Sequence, residues 1–397
     1  KFYSMETRGL PNILMISDEV PESGGNAGAV VLYRLLKHYP SDKILVIGPE
    51  QRKNSKFLNC RYEAFKTVYI RLFKSRFDKL VRSLTAFDVI PKKEFSSFLK
   101  GFQPDVVLSV MQEQFHFNQA YHYAKKKALP FALIVHDDPE IFGKVYELAR
   151  GKKKELNRKI YCYASKRLCV SSEMAQYLEK LYGVPGDVLF PNPSEDIIPR
   201  SLEESSILKN PPYLTIGYAG SLTYGGYADR LEQLIPALKK TQTKLNIYSS
   251  HIKEWFGDET VNYRGSGSTP EITWQKVKNE CDVVILPYSF ANYPELKLYW
   301  THFPSKLPEY LSLQMPVLIT GPNYATGVKW GNNNKHAAIV VSNDSENALI
   351  EVINELKSSS EKRMQLAKNA LEARNAQFNP HSIQRKFYSY MAECCKQ

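Results

Sequence analysis

The chain has 397 residues, of which 43% are hydrophobic and 24% are charged. This composition is that of a soluble globular protein, and the length is too great for one ordinary core, so two domains are expected. No apolar run approaches the length that a bilayer-spanning helix needs. The net charge of +12 favours an acidic partner, which means a nucleotide-sugar, a nucleic acid or an anionic membrane surface.

The six cysteines show neither the spacing of metal ligands nor that of a disulfide framework. A reducing cytoplasm is therefore the expected compartment. Residues 1–11 lack the apolar core of a signal peptide, which agrees with that expectation.

The chain begins with a strand–helix–strand pattern. Short apolar runs at 12–17 and 43–47 predict two parallel strands, and residues 29–39 have a helical pattern. Between them, Gly24 and Gly25 would let the backbone approach a ligand just before a helix N-terminus. The dinucleotide fingerprint Gly-x-Gly-x-x-Gly is absent, and an ordinary turn is the alternative interpretation of the glycine pair.

Residues 60–100 mix aromatic and basic side chains. Five apolar residues recur there at helical spacing, namely Phe73, Phe77, Leu80, Val81 and Leu84. Basic residues lie between them in the sequence. One interpretation is a basic amphipathic surface that touches a membrane or a long anionic acceptor. The other is an ordinary helix with a solvated basic face.

Two further apolar runs, at 104–110 and 131–135, predict strands whose carboxyl ends carry polar residues. Gln112, Glu113, Gln114 and His116 follow the first run, and His136 and Asp137 follow the second. The imidazole of His136 could donate to a hydroxyl or accept its proton, and Asp137 could bind a hydroxyl, act as a base or cap the next segment. Asp137-Asp138-Pro139 is not an Asp-x-Asp metal motif, so no metal is expected.

The alternation continues and then restarts. Strands are predicted at 166–170, 188–190, 213–219, 244–248, 261–263, 283–286, 317–319 and 337–341. The polar stretch 194–211 predicts a linker, and residues 323–334, rich in glycine and asparagine, predict a mobile loop. We expect an N-terminal domain at 1–198, a C-terminal domain at 199–379 and a last helix at 380–397. Alternating strands and helices favour two doubly wound α/β halves.

The run from 301 to 321 is the most informative stretch. Pro304 is suited to a first helical turn, which would place Ser305 and Lys306 beside free N–H groups that attract an anion. Glu309 lies one turn further on, and residues 317–319 predict a buried strand. The alternative is an ordinary helix–strand unit with a solvated lysine and glutamate.

Phe303-Pro304-Ser305-Lys306-Leu307, with Glu309-Tyr310-Leu311 and Met315-Pro316-Val317, resembles the donor-site motif of GT-B glycosyltransferases of the group 1 type. The resemblance implies two Rossmann-like domains facing across a cleft, with the last helix crossing back to the first domain. It implies that Ser305 and Lys306 meet the diphosphate of a nucleotide-sugar and that Glu309 binds the ribose. The implied donor-binding residues are Gly24, Gly25, Ser221, Gly265, Ser305, Lys306, Leu307 and Glu309. The implied catalytic residues are His136, Asp137 and Lys306.

Two positions depart from the family pattern. Thr301 stands where the family often has a second glutamate, and Ser221 stands where it has an arginine. Lys306 would then carry more of the diphosphate charge, together with Arg230.

The resemblance implies sugar transfer from a nucleotide-diphosphate sugar to a hydroxyl of a glycan, a lipid-linked glycan or a small molecule. Most of the family is retaining and independent of metals, and no cofactor is expected; in an inverting member, Asp18, Asp137 or Glu113 would be the base. The expected partners are the donor, the acceptor and an anionic membrane surface on the cytoplasmic side, without nucleic acid. The alternatives are a nucleotide-sugar epimerase on the same fold and a non-catalytic basic surface-binding protein.

Overall fold

The structure is a computed structural model that describes residues 9–50, 56–72, 75–112, 114–141, 144–202, 212–223, 226–291 and 298–396. Phe73 and Glu113, which the sequence analysis singled out, lie outside the described residues. The chain forms two compact units, one of Lys1–Phe190 with Ser382–Gln397 and one of Pro191–His381.

The first unit contains one sheet of seven parallel strands in the order β3-β2-β1-β4-β5-β6-β7. The strands are β1 Ile13–Ile16, β2 Ile44–Gly48, β3 Arg61–Ala64, β4 Val106–Val110, β5 Phe131–Val135, β6 Lys166–Cys169 and β7 Asp187–Val188. The chain order reverses between β1 and β4. Ligands of open parallel sheets collect at the carboxyl ends of the strands beside such a reversal.

The helices of the first unit are α1 Ala27–Leu36, α2 Val68–Leu72, α3 Asp78–Ala86, α4 Ser96–Leu99, α5 Gln114–Lys127, α6 Arg150–Tyr163 and α7 Ser172–Tyr182. Short 3-10 turns span Ser41–Lys43 and Glu147–Ala149. The central strands are buried on both faces, which explains their continuous apolar sequences.

The second unit contains six parallel strands in the order β10-β9-β8-β11-β12-β13. The strands are β8 Thr215–Ala219, β9 Lys244–Tyr248, β10 Val261–Tyr263, β11 Val283–Pro287, β12 Val317–Thr320 and β13 Ala338–Val341. The helices are α8 Tyr227–Lys240, α9 Pro270–Glu280, α10 Lys306–Ser312, α11 Thr326–Asn333, α12 Glu346–Ser358 and α13 Ser360–Gln377, with a 3-10 turn at Glu254–Gly257. Here the reversal lies between β8 and β11.

The last helix, α14, spans Pro380–Cys394 and packs within the first unit from Ser382 onward. Its Gln384 side chain donates to the backbone oxygen of Arg34 at 2.7 Å. Glu393 pairs with Lys166 at 2.6 Å, which links α14 to the start of β6.

The structure differs from the sequence analysis at three elements. The predicted mobile loop at 323–334 is wrong, because α11 spans Thr326–Asn333 there. Its glycines allow close packing: a Cβ on Gly327 would clash with Tyr288 Oη. Strand β3 and helix α6 were not predicted, since β3 is a half-buried edge strand and α6 begins with a run of basic residues.

Within the described part of the chain, no helix has the length and apolar character required to cross a membrane.

Candidate functional site

Lys306 is the first residue of α10, and its side chain extends to the end of β8. The hydrocarbon part of Lys306 lies so close to Gly220 that a Cβ on that glycine would overlap Cε of the lysine. Gly220 also has φ of +137°, a backbone conformation that favours glycine. Both observations require glycine at this position.

Tyrosine rings surround the ammonium group of Lys306. Its Nζ atom lies 4.7 Å from the ring centre of Tyr227 and 5.5 Å from that of Tyr218. Tyr227 in turn stacks against Tyr299 with ring centres 6.2 Å apart, and Tyr299 contacts Tyr288 at 4.6 Å. The charge therefore lies against aromatic faces, where cation–π attraction replaces part of its hydration.

Burial lowers the pKa of Lys306 from its ordinary value of 10.5 to about 8. Among the residues that the structure describes, no carboxylate lies within 4.0 Å of its Nζ atom. A lysine that is desolvated without an opposite charge beside it favours a bound anion, because the anion would restore the missing stabilisation.

The loop after Gly220 is held by local hydrogen bonds. Tyr218 Oη donates to the backbone oxygen of Ser221 at 2.7 Å. The Ser221 hydroxyl lies 2.7 Å from Thr223 Oγ1 and accepts from the Thr223 N–H at 3.2 Å. Ser221 is exposed, and it directly follows the glycine against which Lys306 packs.

Helix α10 begins two residues later than the sequence analysis placed it. Ser305 precedes the helix and makes no side-chain capping bond, and the Leu307 N–H donates to the oxygen of Pro304 at 3.0 Å. The Leu307 side chain is fully buried, so it packs in the core and has no surface to offer a ligand.

Glu309 is only 4% exposed, and its Oε2 atom accepts from the backbone N–H of Ser194 at 3.2 Å. The Glu309 carboxylate also interacts electrostatically with Arg374. Burial lowers the pKa of Arg374, and the negative charge of Glu309 opposes that shift. The residue therefore has a structural partner. Its predicted contact with a ribose stays a prediction.

Arg230 is already neutralised within the second unit. Its guanidinium donates to Asp344 Oδ1 at 2.6 Å and to Thr320 Oγ1 at 3.4 Å. Burial lowers its pKa, and the charge of Asp344 opposes that shift. Arg230 is therefore less suited than Lys306 to hold an added anion.

Gly265 follows β10 with φ of +64°, and nothing lies within 4 Å of the position of a Cβ atom there. The N–H of the preceding Arg264 donates to the oxygen of Ile247 at 2.9 Å. The turn is thus anchored on one side and open on the other, and its role toward a nucleobase stays a prediction.

In the first unit, two neighbouring carboxylates after β1 each meet a histidine. Glu19 Oε2 lies 3.2 Å from Nδ1 of His136, the residue that follows β5. Asp18 Oδ1 lies 2.5 Å from Nδ1 of His116, in the first turn of α5. In the second pair the histidine is buried and the carboxylate is partly exposed.

Asp137 is partly buried and accepts from Gln112 Nε2 at 3.4 Å. The next residue, Asp138, is buried, which raises the pKa of its carboxyl group. Its Oδ1 accepts from the Glu140 N–H at 2.9 Å. These bonds hold the segment that carries His136.

Gly24 and Gly25 precede α1. A Cβ on Gly24 would meet nothing within 4 Å, whereas one on Gly25 would be 2.7 Å from Cβ of Ala29. Gly24 therefore leaves open space, and Gly25 permits close packing on the first turn of the helix.

Residues 28–192 match the family model described as Glycosyltransferase Family 4. Among solved structures, HepE of Anabaena in complex with UDP-glucose is similar at 14% identity and a TM-score of 0.64, with 96% of this chain and 99% of that chain covered. Sucrose-phosphate synthase of Thermosynechococcus elongatus is similar at 12% identity and a TM-score of 0.66, with 96% and 98% covered. WaaG, a glycosyltransferase involved in lipopolysaccharide biosynthesis, is similar at 14% identity and a TM-score of 0.57, with 96% and 99% covered. A search of the curated proteins finds no match to this sequence.

All but the last two residues of the family match fall in the first unit, and the solved structures share the fold along nearly the whole chain. Residues 28–192 are thus similar to a glycosyltransferase family, and the chain has the GT-B fold. The predicted resemblance and the predicted pair of Rossmann-like doubly wound domains are therefore confirmed.

The predicted site residues form separate groups. Lys306 and Gly220, which precedes Ser221, are in contact, while Glu309 bonds to Ser194. His136 and Asp137 belong to the first unit, and Lys306 belongs to the second.

Sequence reasoning missed the supporting residues. Glu19 and His116 were not assigned a role, although Glu19 follows the end of β1 and His116 lies in the first turn of α5. The tyrosines around Lys306 were also missed: Tyr218, Tyr227, Tyr288 and Tyr299. The one signal for Tyr218 and Tyr227 was their place at either end of the loop that contains Gly220.

Proposed function

We propose that this protein is a glycosyltransferase that moves a sugar from a nucleoside diphosphate sugar to an acceptor hydroxyl and that Lys306 binds the diphosphate. The observation that carries the proposal is the environment of its ammonium group. That group is desolvated, its pKa is lowered to about 8, and no carboxylate of the described residues lies within 4.0 Å. A diphosphate supplies the opposite charge that this position lacks.

The same contact would assist the chemistry. When the bond between the sugar and the diphosphate breaks, negative charge develops on the leaving diphosphate. A cation held in advance against tyrosine rings stabilises that charge without having to reorganise. Because the added anion also favours the charged form of Lys306, donor binding would raise its pKa again.

A uridine diphosphate sugar is the first donor to test, because HepE, which shares the fold, holds UDP and UDP-glucose in its structures. For the acceptor we propose a glycan or a lipid-linked glycan. The support is WaaG, which takes part in lipopolysaccharide biosynthesis. His136 would meet a hydroxyl of the donor sugar or the acceptor, and we propose a retaining transfer that needs no metal.

A lipid-linked acceptor would require contact with a membrane, and we propose that the first unit makes it. Large apolar side chains are exposed there, including Val68, Leu80 and Leu148. Basic residues are close to them in the sequence, and Lys79 Nζ lies 4.7 Å from the ring centre of Tyr146. Such a mixed surface suits anionic headgroups above acyl chains.

Vesicle flotation tests the membrane contact. Leu148→Glu should reduce binding to phosphatidylglycerol vesicles, and Ile252→Glu in the second unit is the matched control, since the two residues are 74% and 72% exposed. Equal binding of both variants would contradict the assignment of this surface. Phosphatidylcholine vesicles should bind neither.

The donor is tested by the melting temperature of the protein with UDP-, GDP-, dTDP- and ADP-sugars. One donor should raise it in the wild type and in Lys240→Met, whose lysine pairs with Glu346 on the surface, but not in Lys306→Met. Product analysis then distinguishes the reaction class. A transferase needs an acceptor, whereas conversion of the donor sugar without an acceptor would indicate an epimerase.

A further inference from the structure

We propose that Glu19 is a positioning residue for His136. Its carboxylate holds the imidazole with Nδ1 protonated and leaves Nε2 to contact a hydroxyl. The contact between His136 Nε2 and a substrate hydroxyl rests on the proposed function. The pairing of Glu19 with His136 does not. Glu19 belongs to none of the residues that the family resemblance implies.

The pair is buried and is assembled from two strand ends. Glu19 is 7% exposed and His136 is 8% exposed, and Oε2 of the one lies 3.2 Å from Nδ1 of the other. The Glu19 backbone is itself fixed, because its N–H donates to Ser17 Oγ at 3.1 Å. The carboxylate is therefore held by the turn after β1, and the ring by the end of β5.

Gly28 provides the space that Glu19 occupies. It is the second residue of α1, and a Cβ there would overlap both carboxylate oxygens of Glu19. Glycine in a helix costs about 1 kcal/mol relative to alanine, so the position gives up helix stability for this contact. The carboxylate also lies beside the amino-terminal turn of α1, where the helix dipole favours negative charge.

The chemical consequence follows from the two ring nitrogens. A carboxylate accepting from Nδ1–H selects that tautomer and stabilises the imidazolium form, so Nε2 becomes the nitrogen that can accept a proton. The other carboxylates on this segment bond elsewhere: Asp137 accepts from Gln112, and Asp138 accepts from the Glu140 N–H. Within the described part of the chain, the Glu19 carboxylate lies within hydrogen-bonding distance of the His136 ring.

Nitrogen-15 NMR of the histidine side chains tests the pairing without any substrate. The His136 signal is assigned by its loss in His136→Gln. In the wild-type protein, Nδ1 should carry the proton in the neutral ring. In Glu19→Ala, which removes the acceptor of Nδ1–H, the neutral ring should shift toward Nε2–H, whereas Glu19→Gln keeps an oxygen that can accept from Nδ1–H and should shift the ring less. A wild-type ring with its proton on Nε2, or unchanged spectra in both variants, would overturn the proposal.

A mutant cycle tests the role of Gly28. Gly28→Ala should lower the melting temperature and produce the same NMR change as Glu19→Ala, because the new methyl group displaces the carboxylate. In the Glu19→Ala background the same substitution should be neutral or stabilising. Gly151→Ala is the matched control, since Gly151 is the second residue of α6 and a Cβ there meets nothing within 4 Å. If Gly28→Ala and Gly151→Ala change the melting temperature and the NMR spectrum equally, the contact between Gly28 and the Glu19 carboxylate would be contradicted.

Activity then separates the two proposals. Glu19→Gln should lower kcat at least about tenfold and move the pH profile, with little change in KM for the donor. Unchanged kcat in an active enzyme would overturn the role of Glu19. If no donor and acceptor react at all while the NMR changes occur, the proposed function fails and the pairing stands.

Discussion

The side chain of Lys306 packs directly on the α-carbon of Gly220, although 85 residues separate them in the chain. The contact joins the start of α10 to the end of β8 and holds the ammonium group between the rings of Tyr218 and Tyr227. The position of this charge therefore depends on the absence of a side chain at residue 220.

Gly220→Ala should weaken donor binding at least about tenfold, because the added methyl group would displace Cε of Lys306. It should also lower the free energy of unfolding by about 1–3 kcal/mol, since alanine is strained at a φ of +137°. Calorimetry and denaturant unfolding measure the two effects. Gly257→Ala is the control, because nothing lies within 4 Å of a Cβ there. Normal donor affinity in Gly220→Ala would contradict the contact.

Lys306→Met should stabilise the protein at pH 7 while abolishing donor binding. The folded protein holds this lysine at a pKa of about 8 instead of 10.5, so keeping it charged opposes folding below pH 8. We expect a gain of about 1–3 kcal/mol at pH 7, reduced to the extent that solvent reaches the side chain.

The sign of the pH dependence tests that origin. Between pH 8 and 10.5 the unfolded wild type binds more protons than the folded protein, so its stability rises with pH relative to Lys306→Met. Denaturant unfolding at pH 7 and pH 9.5 measures this difference. A Lys306→Met variant that is less stable than the wild type at pH 7 would show that the charged lysine does not lower the free energy of unfolding.

The strands were predictable from sequence and the tertiary contacts were not. Strands such as β1 and β5 are continuous apolar runs, which local patterns reveal. Helix α11 was mistaken for a loop because Gly327 and Gly331 suggest a turn until their packing partners are known. Glu19 and His136 lie 117 residues apart, so no spacing rule brings them together.

Donor affinity should fall as the pH rises above about 8, because a neutral Lys306 must gain a proton before it can pair with the diphosphate. Calorimetry in two buffers of different ionisation enthalpy, at pH 8.5, should therefore detect proton uptake on binding. Lys306→Arg, if it binds donor, should show neither effect, since arginine stays charged in this range. A wild-type affinity that is flat from pH 7 to 9.5 would contradict the lowered pKa.

Glu309 can be tested for ribose binding separately from its bond to Ser194. Glu309→Gln keeps an oxygen that accepts from the Ser194 N–H, so the fold should survive. Its affinity for UDP should drop about tenfold, and its affinity for the 2′,3′-dideoxy analogue should match that of the wild type. An equal loss for both nucleotides would assign Glu309 a purely structural role.

The central claim is that the ammonium group of Lys306, a partly buried residue whose pKa is lowered by desolvation, receives the diphosphate. Isothermal titration of UDP into the wild type, Lys240→Met and Lys306→Met at pH 7 tests it most directly, with the best nucleotide from the melting panel replacing UDP where that differs. We expect the first two proteins to bind alike and Lys306→Met to lose at least about 100-fold in affinity. Equal affinity in all three would contradict the account.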